Sequence, residues 1–223
     1  MISVAIDGPS GAGKGSVASA AAKELGYLYV DTGAFYRAIG LYALRQGVDP
    51  RDEAGVTALL PEVELTILHE GEKQFVCLNG ENVDEAIRAH EISDASSGVS
   101  AHPAVRQFLL DLQHKFAREH DVIMDGRDIG TVILPDAEVK IYLTASVEER
   151  ARRRVKQLAE KKHEIVPFEQ VLRDIEKRDY DDMHRPVAPL RQAEDAVLVD
   201  TTELTEEESV AAVLRVIREK VEA

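Results

Sequence analysis

The sequence predicts an α/β fold in which helices flank a five-stranded parallel sheet. Five short apolar runs, separated by helical patterns, predict the strands at residues 2–7, 27–31, 121–125, 138–143 and 196–199. This alternation is typical of a parallel sheet that helices cover on both faces. With 223 residues, the chain is long enough for one well-packed domain with insertions.

The most informative segment follows the first predicted strand and precedes an alanine-rich helical pattern. Strand, glycine loop and helix N-terminus together are the context of a phosphate-binding loop, so the predicted fold is of the P-loop NTPase type. Glycines allow positive φ angles that turn backbone N–H groups toward an anion, and the helix N-terminus adds further donors. The residues expected to bind a nucleoside triphosphate here are Gly8, Pro9, Ser10, Gly11, Ala12, Gly13, Lys14, Gly15 and Ser16.

Within this loop, two side chains are expected to meet the phosphates and their metal. Lys14 supplies a point charge for the β- and γ-phosphates, and Ser16 offers a hydroxyl to Mg²⁺. The usual motif places Ser or Thr directly after the lysine, whereas Gly15 intervenes here. The shifted hydroxyl is typical of the Gly-Lys-Gly-Thr/Ser loops of nucleoside monophosphate kinases. A glycine turn with a surface lysine is the alternative interpretation.

Two predicted strands end in aspartate at the edge of the sheet where ligands collect. Asp125 ends the third strand, a position from which aspartate holds Mg²⁺ in phosphate-loop enzymes, often through water; a turn aspartate is the alternative. Asp31 and Thr32 end the second strand and begin a helix that carries Arg37. A second anion is expected at this helix start, unless Asp31 or Thr32 merely caps the helix.

Arginines are unusually concentrated for so acidic a chain. Some of them are expected to stabilise a migrating phosphoryl group, because guanidinium groups bind its oxygens in a bidentate manner. The alternative for part of the cluster is pairing with Glu148 and Glu149 in surface salt bridges. The arginines concerned are Arg150, Arg152, Arg153 and Arg154 on one predicted helix, followed by Arg173, Arg178 and Arg185.

Local signals mark several helix starts. Pro103 suits the first turn of a helix that runs to about His120. Two hydroxyl residues, Ser146 and Thr205, are each followed three positions later by glutamate, which is the capping-box pattern.

The region around residues 61–100 interrupts the alternation of strands and helices. Residues 63–68 and 74–78 flank a glycine-containing turn and predict a β-hairpin, and Asn79-Gly80 predicts a second turn. The simplest account is a small antiparallel subdomain inserted between the second and third main strands.

The expected domain organisation follows from this insertion. Residues 1–60 and 101–223 would form the core that carries the phosphate-binding loop, and residues 61–100 the inserted subdomain. The polar run 160–164 lies between helical segments and predicts a short lid at about residues 155–168.

Composition limits the partners and the compartment. The formal net charge of −14 argues against nucleic acid or an anionic membrane as a partner, because both require basic surface. No run of about 18 apolar residues predicts a membrane span, and the first strand begins too early for a targeting peptide. The one cysteine, Cys77, fits a reducing cytoplasm. We expect a cytoplasmic monomer.

On these residues the chain resembles the bacterial cytidylate kinases, a family of nucleoside monophosphate kinases, over nearly its whole length. The matching segments are 7–16, 31–37, 125–131 and 178–190, of which the third and the Ala-Pro-Leu end of the fourth are the most particular. Thr32 stands where the family commonly has serine, so the hydroxyl is kept. The long insert also resembles the enlarged monophosphate-binding subdomain of that family.

The resemblance implies that ATP and CMP or dCMP react to ADP and CDP or dCDP, with Mg²⁺ as cofactor. It implies catalytic roles for Lys14, Arg154 and Arg178, and places Arg150 with Arg154 near the adenine and the transferring phosphate. It assigns acceptor contacts to Thr32, Tyr36 and Arg37, cytosine contacts to Ser97, Arg106 and Asp128, and phosphate or sugar contacts to Arg127, Arg178, Asp182 and Arg185.

Two other functions compete with this one. The chain would remain a kinase if its acceptor were UMP, AMP or a small metabolite instead. A nucleotide sensor that binds ATP without transfer is the second alternative, but it does not require arginines at a second anion site. Fold alone does not separate these classes.

Overall fold

The computed structural model of the protein describes residues 1–70, 73–162 and 165–222. Its strands are β1 (Ser3–Asp7), β2 (Leu28–Asp31), β3 (Leu65–Glu70), β4 (Lys73–Leu78), β5 (Glu81–Asn82), β6 (Val122–Gly126), β7 (Val139–Thr144) and β8 (Val197–Asp200). Its helices are α1 (Lys14–Leu25), α2 (Thr32–Arg45), α3 (Glu53–Leu59), α4 (His90–Ser100), α5 (Pro103–Glu119), α6 (Val147–Lys162), α7 (Phe168–His184) and α8 (Glu206–Val221). A short π-helical turn covers Ile129–Ile133.

The chain divides into two compact units, of which the first comprises Met1–Val30 and Phe116–Ala223. It contains a five-stranded sheet in the order β2-β6-β1-β7-β8, in which β1 pairs in parallel with both β6 and β7. The five predicted main strands are therefore confirmed. Apolar side chains of β1, β7, α1 and α8 form a buried core that includes Ile6, Ile141 and Ile217.

The register of the central strands determines which residues meet at the carboxyl edge of the sheet. Asp7, the last residue of β1, is opposite Gly126 of β6 on one side and Tyr142 of β7 on the other. The segments that follow β1 and β6 therefore leave the sheet side by side. These are the glycine loop and the turn that carries Arg127.

The second unit comprises Asp31–Lys115. It contains the three-stranded antiparallel sheet β3-β4-β5, which confirms the predicted hairpin, although Gly71 of its turn lies outside the described residues. Helices α2 and α4 pack closely at Gly40, which has no side chain. A Cβ at this position would lie 3.0 Å from Ala95. The unit is longer than the predicted insert 61–100, whose boundaries stay a prediction.

The helix-start signals have mixed outcomes. Helix α5 begins at Pro103, and Thr205 forms both halves of a capping box with Glu208. At Ser146 only half of the predicted box exists: the backbone N–H of Glu149 donates to Ser146 Oγ at 3.2 Å. The backbone N–H of Ser146 donates instead to the Thr202 hydroxyl at 2.9 Å.

Among the described residues, no helix combines the length and the apolar character that crossing a membrane requires.

Candidate active site

The glycine loop that follows β1 depends on backbone conformations that only glycine adopts easily. Gly8, Gly11 and Gly13 have φ angles of 152°, 77° and 88°. A Cβ on Gly8 would lie 2.0 Å from the carbonyl oxygen of Leu143 in β7, a distance at which no side chain fits. The shape of the loop is therefore imposed by the sheet on which it rests.

Lys14 begins helix α1 and is buried. Its ammonium group donates hydrogen bonds to two carbonyl oxygens of the same loop, those of Gly8 at 2.8 Å and Pro9 at 2.9 Å. These acceptors satisfy the buried ammonium group within the protein itself.

Burial and nearby charges together set the pKa of Lys14. Burial is the main cause that lowers the pKa of Lys14 to about 7, and the positive charge of Arg127 lowers it further. The carboxylates of Asp125, Asp7 and Asp182 act in the opposite direction. Lys14 therefore lies within the electrostatic range of both the glycine loop and the arginine-bearing turn after β6.

Asp125 is buried near the end of β6 and accepts a hydrogen bond from the hydroxyl of Tyr29 at 2.9 Å. The position of Tyr29, in β2, also gives a reason for glycine at residue 15, between Lys14 and Ser16. A Cβ on Gly15 would lie 3.3 Å from the Tyr29 hydroxyl oxygen, so the absence of a side chain leaves room for this contact. Ser16 is exposed at the first turn of α1.

Asp7 joins the glycine loop to the turn after β6. Its two carboxylate oxygens accept the backbone N–H groups of Ile129 and Gly130, each at 2.8 Å. Burial is the main cause that raises the pKa of Asp7 to about 6, against the lowering effect of these two hydrogen bonds. The residue directly before the loop thus fixes the main chain directly after Asp128.

The turn after β6 is connected to helix α7 by two ion pairs. Arg127 Nε donates to Asp182 Oδ2 at 2.8 Å, and Arg185 donates to Asp128 Oδ1 at 3.0 Å. Arg185 Nε also donates to the carbonyl of Ala188 at 2.7 Å, which holds the segment that follows α7. Four of the predicted acceptor-binding residues thus contact one another in pairs.

The ion pairs between the turn after β6 and helix α7 stabilise the charged forms of Arg127 and Asp182. Burial acts to lower the pKa of Arg127, but the nearby carboxylates, Asp182 foremost, outweigh it and raise that pKa. Burial acts to raise the pKa of Asp182, but Arg127, followed by Arg178 and Arg185, lowers it. The network holds charged guanidinium groups, which bind anions by charge-assisted hydrogen bonds, although each is paired with a carboxylate here.

The arginines of helix α6 differ in their surroundings. Arg150 is buried and donates to the carbonyls of Ala145 at 3.0 Å and Ser10 at 2.8 Å. Arg154, one turn later, is exposed and donates to Gln157 at 2.6 Å. Both stay predicted nucleotide-binding residues, but Arg150 also supports the glycine loop.

Glu149 forms the surface pairs that were the alternative interpretation of the arginine cluster. It accepts from Arg152 at 3.2 Å and from Arg153 Nε at 3.0 Å. Arg153 also donates to the hydroxyl and the carbonyl of Thr201. Arg152 and Arg153 therefore have structural partners, as the alternative interpretation expected for part of the cluster.

In the second unit, Asp31 caps helix α2. Its side chain accepts the backbone N–H of Ala34 at 2.9 Å and pairs with Arg37 at 2.8 Å. The helix-cap alternative is thus correct for Asp31, and Thr32 is buried as the first residue of the helix. An anion at this helix start would compete with Asp31 for Arg37.

The other predicted acceptor residues of the second unit are carried by α2, α4 and α5. The Arg106 guanidinium lies 5.9 Å from the ring centroid of Tyr36, a distance within the range of a cation–π contact. Ser97 is exposed on α4, and its hydroxyl donates to the carbonyl of Ser93 at 3.2 Å.

Comparison with known proteins identifies the family of this chain. A family model described as cytidylate kinase matches residues 4–219. The chain belongs to the cytidylate kinase family. A cytidylate kinase from Carboxydothermus hydrogenoformans is 49% identical over 217 residues, which cover 97% of each chain. One from Enterococcus faecalis is 49% identical over 219 residues, covering 98% of this chain and 96% of that relative.

Solved structures agree on the fold of this cytidylate kinase family member. A crystal structure of a shikimate kinase from Bacteroides thetaiotaomicron has a TM-score of 0.51 and 13% identity, and covers 100% of this chain and 99% of that one. At such low identity the likeness concerns architecture alone, and it supports the P-loop kinase fold.

Two residues of this site, Asp7 and Tyr29, lie within predicted strands and had no role assigned from the sequence. Tyr29 contacts a residue 96 positions away and Asp7 contacts one 122 positions away, so the local pattern does not reveal these contacts. For Asp7 there were two sequence signals: it begins the matching segment 7–16, and it ends an apolar run, where a buried carboxylate requires a partner.

Proposed function

We propose that this chain is a Mg²⁺-dependent cytidylate kinase. An oxygen of the CMP or dCMP phosphate attacks the γ-phosphorus of ATP, the bond from that phosphorus to the β-phosphate oxygen breaks, and ADP leaves with CDP or dCDP as the second product. The partners are small nucleotides, and we place the chain in the cytoplasm as a monomer.

One observation carries the proposal: the glycine loop and the arginine-bearing turn adjoin at the carboxyl edge of the sheet. Asp7 precedes the loop directly, and its carboxylate holds the N–H groups of Ile129 and Gly130. A triphosphate on the loop and a phosphate at Arg127 would therefore be neighbours, which direct transfer requires.

The donor nucleotide would be held mainly by the backbone. The proposed ATP-binding residues are Gly8 to Ser16 of the loop and Arg150, with Lys14 and Arg154 directed at the transferring phosphate. The glycine φ angles support a cradle of N–H groups, and α1 begins within the loop. Lys14 would exchange its carbonyl acceptors for phosphate oxygens, and a phosphate next to it would raise its pKa again.

Mg²⁺ would be held by Ser16 and, through water, by Asp125. Within the described ranges, no group of three or more His, Cys, Asp or Glu side chains could hold a metal ion by itself. One hydroxyl and one carboxylate nevertheless fit Mg²⁺, which proteins commonly bind by few ligands together with substrate phosphates and water. When bound, the ion neutralises charge on the β- and γ-phosphates.

The acceptor would be bound by charged and polar side chains. We assign Arg127, Arg178, Asp182 and Arg185 to its phosphate or sugar, and Ser97, Arg106 and Asp128 to its base. We assign further acceptor contacts to Thr32, Tyr36 and Arg37. The ion pairs of Arg127 and Arg185 support this assignment, because they hold guanidinium groups in fixed directions.

No strong general base is needed, since the acceptor is already an anion at neutral pH. Catalysis then consists of alignment and charge neutralisation, with Arg178 and Arg154 on the migrating group. We also propose that residues 155–168 close as a lid and keep water from acting as an acceptor. Residues 163–164 of this segment lie outside the described residues.

The test is ADP production by the purified chain with CMP, dCMP, UMP and AMP compared side by side. We expect kcat/KM for CMP and dCMP to exceed that for AMP by at least about 10², because recognition of base edges by hydrogen bonds discriminates strongly. The Lys14→Met variant serves as the inactive control. Preferential use of UMP or AMP would support a kinase with a different acceptor, and ATP binding without turnover of any of the four would support the sensor.

A further inference from the structure

Helix α7 carries a buried carboxylate that the proposed reaction does not use. Asp179 is 8% exposed, and its Oδ2 pairs with an Arg150 nitrogen at 2.7 Å. Its other oxygen, Oδ1, is buried and has no hydrogen-bond partner among the described residues. Because unsatisfied buried oxygens are costly and rare, this atom indicates a second arrangement in which a donor reaches it.

Arg150 connects this carboxylate to the glycine loop. The same guanidinium nitrogen that meets Asp179 donates to the carbonyl of Ser10 at 2.8 Å. The Cβ atom of Arg150 would also lie 3.3 Å from a Cβ on Gly11. Any change in the loop when phosphates bind therefore acts on Arg150, and through it on Asp179.

The same helix holds the acceptor side of the network. Asp182 accepts from Arg127, and Arg185, which follows the last helical residue, donates to Asp128. Helix α7 is thus linked to the glycine loop through Asp179 and to the arginine-bearing turn through Asp182 and Arg185. A helix is stiff over this length, so displacement at one link is transmitted to the others.

Two groups that could donate a hydrogen bond to Asp179 Oδ1 interact electrostatically with Asp179. Burial, and after it the charge of Asp179, raises the pKa of the Tyr142 phenol, which places that group within electrostatic range. Arg127 also experiences the charge of Asp179. A movement of α7 that brings a donor to Asp179 Oδ1 would also move Asp182, because both residues lie on the same helix.

We propose that Asp179 is a positioning residue that couples the occupied glycine loop to the acceptor-binding side chains of α7. Binding of the triphosphate then strengthens binding of the monophosphate, and, because coupling is reciprocal, the monophosphate strengthens binding of the triphosphate. This inference rests on the proposed function, since it concerns the same two nucleotides.

The experiment measures the dissociation constant of CMP by calorimetry, with and without Mg²⁺ and β,γ-methylene ATP. In the wild type we expect CMP to bind at least about fivefold more tightly when the analogue is present. Asp179→Asn should bring this ratio to within about twofold of one, with CMP affinity in the absence of the analogue changed less than about threefold. Asp179→Glu, which keeps the charge, should restore part of the ratio.

Asp181→Asn is the matched control, because it makes the same chemical change at an exposed position of the same helix. It should keep the wild-type ratio. A merely structural role of Asp179 would lower the unfolding temperature and leave the ratio unchanged, and that result overturns the proposal.

If Asp179→Asn does not fold, the ratio of CMP dissociation constants measured in the wild type still tests the coupling. A wild-type ratio of one, with both nucleotides bound and turned over, overturns the coupling and leaves the proposed function intact. A wild type that binds the analogue and no CMP overturns the proposed function and this inference with it.

Discussion

The glycine loop and the arginine-bearing turn lie at the same edge of the sheet, yet they maintain their shapes by different means. The loop is held by backbone geometry, with Gly8 pressed against the carbonyl of Leu143. The turn is held by side chains, through the pairs Arg127–Asp182 and Arg185–Asp128. Backbone donors need no exchange of partner when an anion arrives, whereas a paired guanidinium must share or change its carboxylate. The shape of the donor side therefore depends on the backbone, and that of the acceptor side depends on charge balance.

The largest expected effect comes from Gly8→Ala, which tests whether backbone geometry determines the shape of the glycine loop. The added Cβ would lie 2.0 Å from the Leu143 oxygen at a positive φ, so the strand or the loop must move. We expect a loss of about 3 kcal/mol or more in the free energy of unfolding, measured by urea denaturation, and turnover at background level. Gly26→Ala is the control: its φ is 72° with no atom within 4 Å, so it should cost about 1–2 kcal/mol. Equal losses in both variants would contradict the steric argument.

Lys14→Met tests the one side chain that belongs to the loop. We expect kcat to fall about 10³-fold, since a charge directed at the transferring phosphate is lost. The unfolding temperature of the ligand-free chain should fall, because the carbonyl groups of Gly8 and Pro9 lose the donor that satisfies them. Steady-state kinetics and thermal denaturation together check this prediction. A folded variant with near-normal turnover would refute the role of Lys14.

Arg178→Ala tests the side-chain half of the comparison. Arg178 is exposed on α7, so we expect kcat to fall about 10²-fold while the unfolding temperature stays the same. Lys177→Ala, an exposed neighbour on the same helix, should retain wild-type kinetics. Should both variants lose activity to the same extent, the effect would belong to the helix surface and not to Arg178.

A smaller effect is expected of pH on the affinity of the glycine loop for a triphosphate, because Lys14 of this loop titrates near neutral pH. Lys14 has a pKa of about 7 in the free protein, and a bound triphosphate raises it because opposite charge favours the protonated form. Above pH 7, binding must therefore take up a proton, and affinity for a non-hydrolysable ATP analogue should fall by up to about tenfold per pH unit. Calorimetry in buffers of different ionisation enthalpy measures the proton uptake. Lys14→Met should lack both the slope and the uptake.

Gly15→Ala should have the smallest effect. The new methyl group would lie 3.3 Å from the Tyr29 hydroxyl, which can shift by a few tenths of an ångström. We expect kcat to fall by no more than about threefold, as for a mildly overpacked position. Combination with Tyr29→Phe should remove most of that loss, and additive losses would show that the crowding lies elsewhere.

The sequence was sufficient to predict the parts of the molecule that depend on local pattern. Apolar runs located the five main strands and the hairpin, and the glycine spacing located the loop. It was not sufficient for partners that the fold brings together, such as Asp7 with Gly130 or Arg150 with Asp179. The same limit explains Ser146, whose capping box is half formed because Thr202, 56 residues away, takes the other hydrogen bond.

The two carbonyl groups that receive the Lys14 ammonium have a consequence for the end of the catalytic cycle. When ADP departs, the lysine does not have to remain as a bare cation in a buried place, because Gly8 and Pro9 offer it acceptors at once. Product release then replaces one set of hydrogen bonds by another within the same loop. The two carbonyl groups thereby offset part of the desolvation cost of the buried ammonium group, a cost that would otherwise hold the spent nucleotide in place.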